Sequence, residues 1–340
     1  MSTVDVRGVV RASPMQIWVP LITLWVLWGS TYLGIAVAIE SMPPLLANAL
    51  RFFAAALILA LALALVKGPR ILRVSLPEFA YSILMGCMLL GVGLGTVALA
   101  EQFVPSGIVA LLVSIIPLWI VLFRIKAGDR PSPLTIAGVV VGLTGLGLMI
   151  LPGGTTPRSG TDGDVVLWSC LLIASSFCWA FFSWKSTSYP LPSNSIVTTL
   201  YELLGAGAML LGIGALRGES IHFETYTQAS WLGWSWLVVA AVIGYTAYSY
   251  LITSAPMSLV STYAYVNPVI AVLLGAVIIG EPITRDVVLW SCLLLASSFC
   301  WAFFSWKSTS YPLPSNSIVT TVYELVGAGA MLLGIGALRG

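Results

Sequence analysis

The sequence has 340 residues, 59% of them hydrophobic and 8% charged, where a soluble domain carries about 25% charged residues. Its apolar runs are long enough to cross a hydrocarbon layer roughly 30 Å thick, which excludes an ordinary soluble fold. A net charge of +2 with scattered basic residues gives no nucleic-acid footprint. The five cysteines, Cys87, Cys170, Cys178, Cys292 and Cys300, lie in apolar runs and never as Cys-x-x-Cys, which argues against a disulfide frame or a metal centre.

Arg7 and Arg11 precede the first apolar run, and Ala36-Val37-Ala38 resembles a cleavage site. The apolar stretch from Ile17 to Ile39 nevertheless exceeds a signal-peptide core of roughly 7 to 15 residues and reads as a retained span. Uninterrupted apolar windows predict eleven candidate helices, at 17–39, 44–66, 77–99, 103–125, 133–151, 165–185, 194–216, 229–253, 257–279, 287–307 and 316–338. Their length and their lack of period-two alternation exclude barrel strands, so the expected fold class is an all-α polytopic membrane protein. Short loops such as SMPP (41–44), KGPR (67–70) and LPGGTTPRSG (151–160) punctuate the runs. With a cytoplasmic N-terminus, Arg7, Arg11, Lys67, Arg70, Arg73, Arg124, Lys126 and Arg130 all fall on the cytoplasmic side.

The chain repeats itself. Pro105, Pro117 and Pro131 map onto Pro256, Pro268 and Pro282 by a constant shift of 151, which also sets Trp28 on Trp179 and Arg51 on Glu202. Five spans per half, an odd number, turns the second half upside down, the plan that puts a substrate site near mid-membrane between two halves. Pro105 and Pro256 suit a first helical turn, where a missing N–H costs nothing. Pro117 and Pro268 lie roughly 18 Å deeper and are expected to kink their helices and free a carbonyl.

WGSTYLGIAVAIE (28–40), ANALRFFAAALILAL (47–61), PSGIVALLVSIIPLWIVLF (105–123) and STYAYVNPVIAVLLGAVIIGEPIT (261–284) resemble the drug/metabolite transporter superfamily, EamA type, and within it bacterial amino-acid exporters of the YddG kind. The resemblance covers about 16–285. It implies ten helices in two five-helix inverted repeats, the first in 1–151 and the second beginning in 164–285 with helices six to nine. Between them it implies a central cavity for small metabolites, often amino acids leaving the cell across the inner membrane. The sequence departs from that plan after residue 285. Residues 286–340 copy 164–218 with three changes, Ile173 to Leu295, Leu200 to Val322 and Leu204 to Val326. The copy stands where the tenth helix is expected, either as an artefact of assembly or as a recent duplication, and it is assigned no function.

Arg51 lies about eight residues into the second helix, where an unpaired charge costs on the order of 3 kcal/mol at mid-depth. It is expected to hold a substrate carboxylate or to pair in the cavity, and its mate Glu202 to pair or take a proton; both could instead snorkel to an interface. Trp28, Tyr32, Tyr81, Trp179, Tyr245, Tyr248 and Tyr263 fall inside spans rather than only at their ends, as a cavity for amphipathic solutes requires. Packing or lipid contact is the competing role for each. Asn267, just before Pro268, is placed to bond the freed carbonyl or line the path. Gly91/Gly95 and Gly138/Gly142 have helix-packing spacing. His222 sits in a polar loop and suits a surface role, and Glu281 a turn. The chain lacks a His-Glu-x-x-His pair, a Gly-x-Ser-x-Gly elbow and a phosphate-cradling loop. A transporter is therefore expected in preference to a membrane enzyme or sensor. No cofactor or metal is expected. The expected partners are a small-molecule substrate and the lipid bilayer, with no nucleic acid, and the chain acting as a monomer. Arg51 and Glu202 are the only deeply placed charges anticipated outside the copied block. Facilitated flux, exchange and Glu202-dependent proton coupling all stay open.

Overall fold

The computed structural model describes residues 14–126, 128, 157–255, 257–260 and 262–281. The predicted spans 133–151, 287–307 and 316–338 lie outside them, as do Pro131, Pro256, Pro282, Gly138, Gly142 and the copied block. The described residues form helices and connecting turns, with no strand among them.

The helices are α1 (Pro14–Ala38), α2 (Pro44–Lys67), α3 (Leu76–Ala100), α4 (Ser106–Val113), α5 (Ile116–Lys126), α6 (Asp162–Lys185), α7 (Ser195–Leu216), α8 (Gln228–Ser254) and α9 (Tyr263–Ile279). Six of these, α1, α2, α3, α6, α7 and α8, are long and apolar enough to cross a membrane. Their starts follow local chemistry. Ser75 with Glu78 and Thr161 with Asp164 form capping boxes before α3 and α6, and Asn194 and Thr227 cap α7 and α8.

α2 and α4 have no side-chain cap from their own flanks and borrow one from far along the chain. Glu219 accepts from the Leu45 and Leu46 amides at 3.0 and 2.9 Å. Glu281 accepts from the Ser106 amide and hydroxyl, each at 2.9 Å. A carboxylate at a helix N-terminus satisfies orphan N–H groups and complements the helix dipole. Glu281 is thus a tether between the end of α9 and the start of α4, beyond the turn role its motif suggested. The turn itself is made by Gly280, at φ 70°.

The loops joining the described helices gather at two ends of opposite character. Ser41 accepts from the Thr227 amide, and Phe103 accepts from the Arg158 amide, at an end carrying Glu40, Glu101, Asp162, Asp164, Glu219 and Glu281. At the other end Tyr201 donates to the Leu72 carbonyl and Tyr81 stacks on Tyr189, among Lys67, Arg70, Arg73, Lys126 and Lys185. These are called the acidic and the basic end below.

Helix pairings obey the shift of 151. α1 packs on α8 as α6 packs on α3; α3 packs on α7 as α8 packs on α2; α1 meets α9 as α6 meets α4 and α5. Glycines let α3 and α7 approach backbone to backbone: a Cβ on Gly86 would lie 1.9 Å from the Glu202 carbonyl oxygen, and one on Gly205 2.5 Å from that of Ile83. Gly91 and Gly95 sit against Met209 and Leu210 of α7, a packing role. Within α3, residues Cys87–Leu94 are wound as a π-helix, a local widening that often accompanies functional sites.

The proline expectations divide. The α4–α5 break falls at Ser114 and Ile115, just ahead of Pro117. Pro268 lies inside α9, which runs through it; the interruption there comes earlier, between the helical turn Met257–Val260 and Tyr263. The two breaks are not related by the shift that relates the helices.

Candidate functional site

Trp28 of α1 stands at the centre of a buried aromatic cluster drawn from both halves. Its ring meets Trp179 of α6 edge-on at 5.8 Å and Tyr263 of α9 edge-on at 5.0 Å. It lies tilted against Tyr245 and Tyr248 of α8 at 5.4 and 5.0 Å. Tyr248 also touches Trp179 and Tyr263, at 6.2 and 5.9 Å. Trp179 Nε1 donates to the Tyr263 hydroxyl at 3.0 Å, and Tyr248 donates to Ser183 Oγ at 2.9 Å. Each ring pair contributes about 0.5–1.5 kcal/mol beyond its area burial.

Two glycines make room for the indoles. A Cβ on Gly244 would lie 2.5 Å from Trp28 Nε1, and one on Gly93 2.9 Å from Trp179 Cε3. Gly93 and Gly244 are themselves 151 apart, so each tryptophan seats on the matching glycine of the other half. Sequence reasoning paired the tryptophans and overlooked the glycines, although the same shift relates them.

Arg51 is 3% exposed, with its guanidinium 4.7 Å from the Phe52 ring centre and with Nε and Nη2 lacking hydrogen-bond partners. It lines a cavity of about 10 Å³ with Trp28, Thr31, Leu94 and Tyr245. That is room for about one water molecule and far too small for a metabolite. Glu202 is 8% exposed on α7 and forms no ion pair with Arg51. Each sits seven residues inside its helix, roughly 10 Å, but α2 starts at the acidic end and α7 at the basic end. The shift makes them equivalent and so holds them at opposite depths.

A third buried charge corrects the expectation of two. Glu101, at the C-terminus of α3, is 0% exposed and neither carboxylate oxygen has a partner. Arg158 closes over this region, donating through Nη2 to the Ala36 carbonyl and to Glu40, while its Nη1 is also buried without a partner. Burial pushes the Glu101 carboxyl well above the usual carboxylate range and Glu281 adds to this, while Arg158 and Arg51 pull it down. In sequence Glu101 falls between two apolar windows and resembles a loop residue. The distant 157–161 segment is fastened beside it, Arg158 N–H donating to the Phe103 carbonyl and Ser159 Oγ to that of Gln102.

The other candidates separate. Tyr32 is buried within electrostatic reach of Glu101 and Tyr245. Tyr81 is half-buried at the basic end, away from the cluster. Asn267 is buried, its amide oriented to donate to the Tyr263 carbonyl at 3.0 Å and the Trp25 carbonyl at 3.2 Å. It clamps α9 to α1, bonding the carbonyl next to the one that Pro268 frees. His222 is exposed, bonded to Ser220 and 3.5 Å from Glu224. A separate apolar cavity of about 250 Å³ lies at the acidic end, walled by Met42, Leu50, Phe223, Tyr226, Trp231 and Trp234. Among the described residues no three His, Cys, Asp or Glu side chains are grouped to hold a metal.

An all-helical polytopic bundle whose halves meet in a buried aromatic and charged core is built as a membrane transporter. The chain belongs to the EamA-like transporter family, whose model matches residues 16–151 and 166–290. It is 35% identical over 267 residues to the inner membrane transporter YedA of Escherichia coli strain K12, covering 78% of this chain and 83% of that one. The transporter YoaV of Bacillus subtilis is 24% identical, with 84% and 96% covered, and the protein PagO of Salmonella typhimurium 25% identical, with 77% and 84% covered. A solved crystal structure covering 87% of this chain and 99% of its own superposes with a TM-score of 0.65 at 20% identity, a likeness of fold.

Proposed function

We propose that this transporter moves small amphipathic metabolites, amino acids above all, out of the cell by alternating access at a mid-membrane site between two repeats, the five-helix 1–151 and helices six to nine in 164–285. The observation that carries this reading is the meeting of Trp28 and Trp179 at 5.8 Å within one aromatic cluster. Residues equivalent under the repeat converge at one point, where an inverted-repeat carrier needs its site. In this reading Trp28, Tyr32, Trp179, Tyr245, Tyr248 and Tyr263 line the cavity and Arg51 takes the solute carboxylate. Tyr81 and Glu202 face the path from the basic end, and Asn267, Pro117 and Pro268 shape the helices that move. With only about 10 Å³ beside Arg51, the described conformation is closed, and a solute enters when one end parts.

The basic end faces the cytoplasm, with the N-terminus, in the inner membrane; the basic residues gathered at that end support the orientation, and the similarity to the inner membrane transporter YedA supports the membrane. The test is counterflow. Purified protein in liposomes preloaded with unlabelled amino acid should accumulate the labelled one from a panel of leucine, phenylalanine, threonine and lysine. Replacing Arg51 with Gln should lower this accumulation about tenfold or more. Absence of counterflow for every amino acid would remove the substrate class.

A further inference from the structure

Arg51 carries two free hydrogen-bond donors into the core, and they are an adjacent pair. The N–H bonds of Nε and Nη2 run parallel along one edge of the planar guanidinium, the edge that grips both oxygens of a carboxylate side-on. Both atoms are buried without a partner, and among the described residues no carboxylate lies within ion-pair distance of Arg51. A buried cation left in this state is costly until an anion completes it.

The small cavity beside Arg51 is bounded by Trp28 and Thr31 of α1, Leu94 of α3, and Ala241 and Tyr245 of α8. α1, α2 and α3 belong to one half and α8 to the other, so parting the halves enlarges it. Thr31 donates its hydroxyl proton to the Trp28 carbonyl at 2.7 Å, which leaves its oxygen able only to accept. The rings of Trp28 and Tyr245 stand beside it and also favour a cation. Two donors facing an acceptor and two rings match a carboxylate and an ammonium carried on one carbon. The side chains of Leu94 and Ala241 offer no donor to a second anionic group.

We propose that Arg51 and Thr31 form a head-group subsite for an α-amino acid. Nε and Nη2 of Arg51 hold the carboxylate, Thr31 Oγ1 and the Trp28 and Tyr245 rings hold the ammonium, and the solute's own side chain runs into the aromatic cluster. The subsite rests on the transport reading above. It deepens that reading by making Thr31 the residue that selects for the amino group.

The test is inhibition of counterflow by the full chain in liposomes, buffered to the same pH on both sides. The labelled panel member carried best is competed by its unlabelled form, by the same molecule without its amino group and by the same molecule without its carboxyl group. For leucine the two analogues are 4-methylpentanoate and 3-methylbutylamine. The wild type should be half-inhibited by the amino acid at a concentration about tenfold or more below that of either analogue, as a hydrogen bond to a charged group implies. Thr31→Val should abolish the preference over the des-amino acid without changing the inhibition by that acid, and Thr31→Ser should keep it. Arg51→Gln should weaken the amino acid and the des-amino acid together, about tenfold, and leave the amine as it was. A wild type inhibited equally by the amino acid and the des-amino acid overturns the proposal, as does a Thr31→Val protein whose preference is intact. If Thr31→Val does not run as a monodisperse species in detergent, Thr31→Ala decides by the same ratio. Absence of wild-type counterflow is a different result, which removes the transport reading itself.

Discussion

At Gly244 the hydrogen in place of a side chain faces the Trp28 indole, and at Gly93 it faces that of Trp179. A methyl group at either position must push a buried ring that has four aromatic neighbours or a hydrogen bond to Tyr263. Gly244→Ala and Gly93→Ala should each cost about 1–3 kcal/mol of stability, the range for overpacking a tight core, and depress counterflow. The contrast is Gly212→Ala on the exposed side of α7, where nothing lies within 4 Å of the new methyl; it should be neutral or stabilising by about 0.5–1 kcal/mol. Thermal unfolding in detergent orders the three, and equal effects would show that the tryptophan seats are not tight. The tryptophan pair was legible in sequence because a constant shift is visible without coordinates. The glycines carry no side chain to draw attention to that shift, and Glu101 looked like a loop residue because the segment fastened beside it lies more than fifty positions away.

The helices themselves were largely legible, since apolar length fixes a span whatever it packs against. The window 44–66 became Pro44–Lys67, and 77–99 became Leu76–Ala100. The break between α4 and α5 escaped because it falls inside a continuous apolar run, which hydropathy cannot divide. The borrowed caps escaped for another reason: Glu219 and Glu281 lie more than 170 positions from the amides they bond. Glu219→Ala and Glu281→Ala should each lower stability by about 1 kcal/mol or more, by leaving N-terminal amides of α2 and α4 unpaired and removing a favourable charge from the helix dipole. A lower melting temperature in each variant checks this. Glu224→Ala, a substitution of an exposed carboxylate at the same end, should leave it unchanged.

For the whole molecule the sidedness is a single binary outcome. In a cysteine-free background, a cysteine at Arg70 of the basic end should react with an impermeant reagent only after cells are opened. One at Thr225 of the acidic end should react from outside. The reverse pattern would invert the orientation.

Composition and apolar length by themselves determined that this chain is a polytopic helical membrane protein, because the bilayer imposes its thickness on every span. The shift of 151 determined which residues are equivalent. Tertiary structure alone decided which equivalents meet. Trp28 and Trp179 converge near mid-depth, whereas Arg51 and Glu202 are held roughly 10 Å inside opposite ends, because antiparallel packing brings mid-helix positions together and carries positions near helix starts apart.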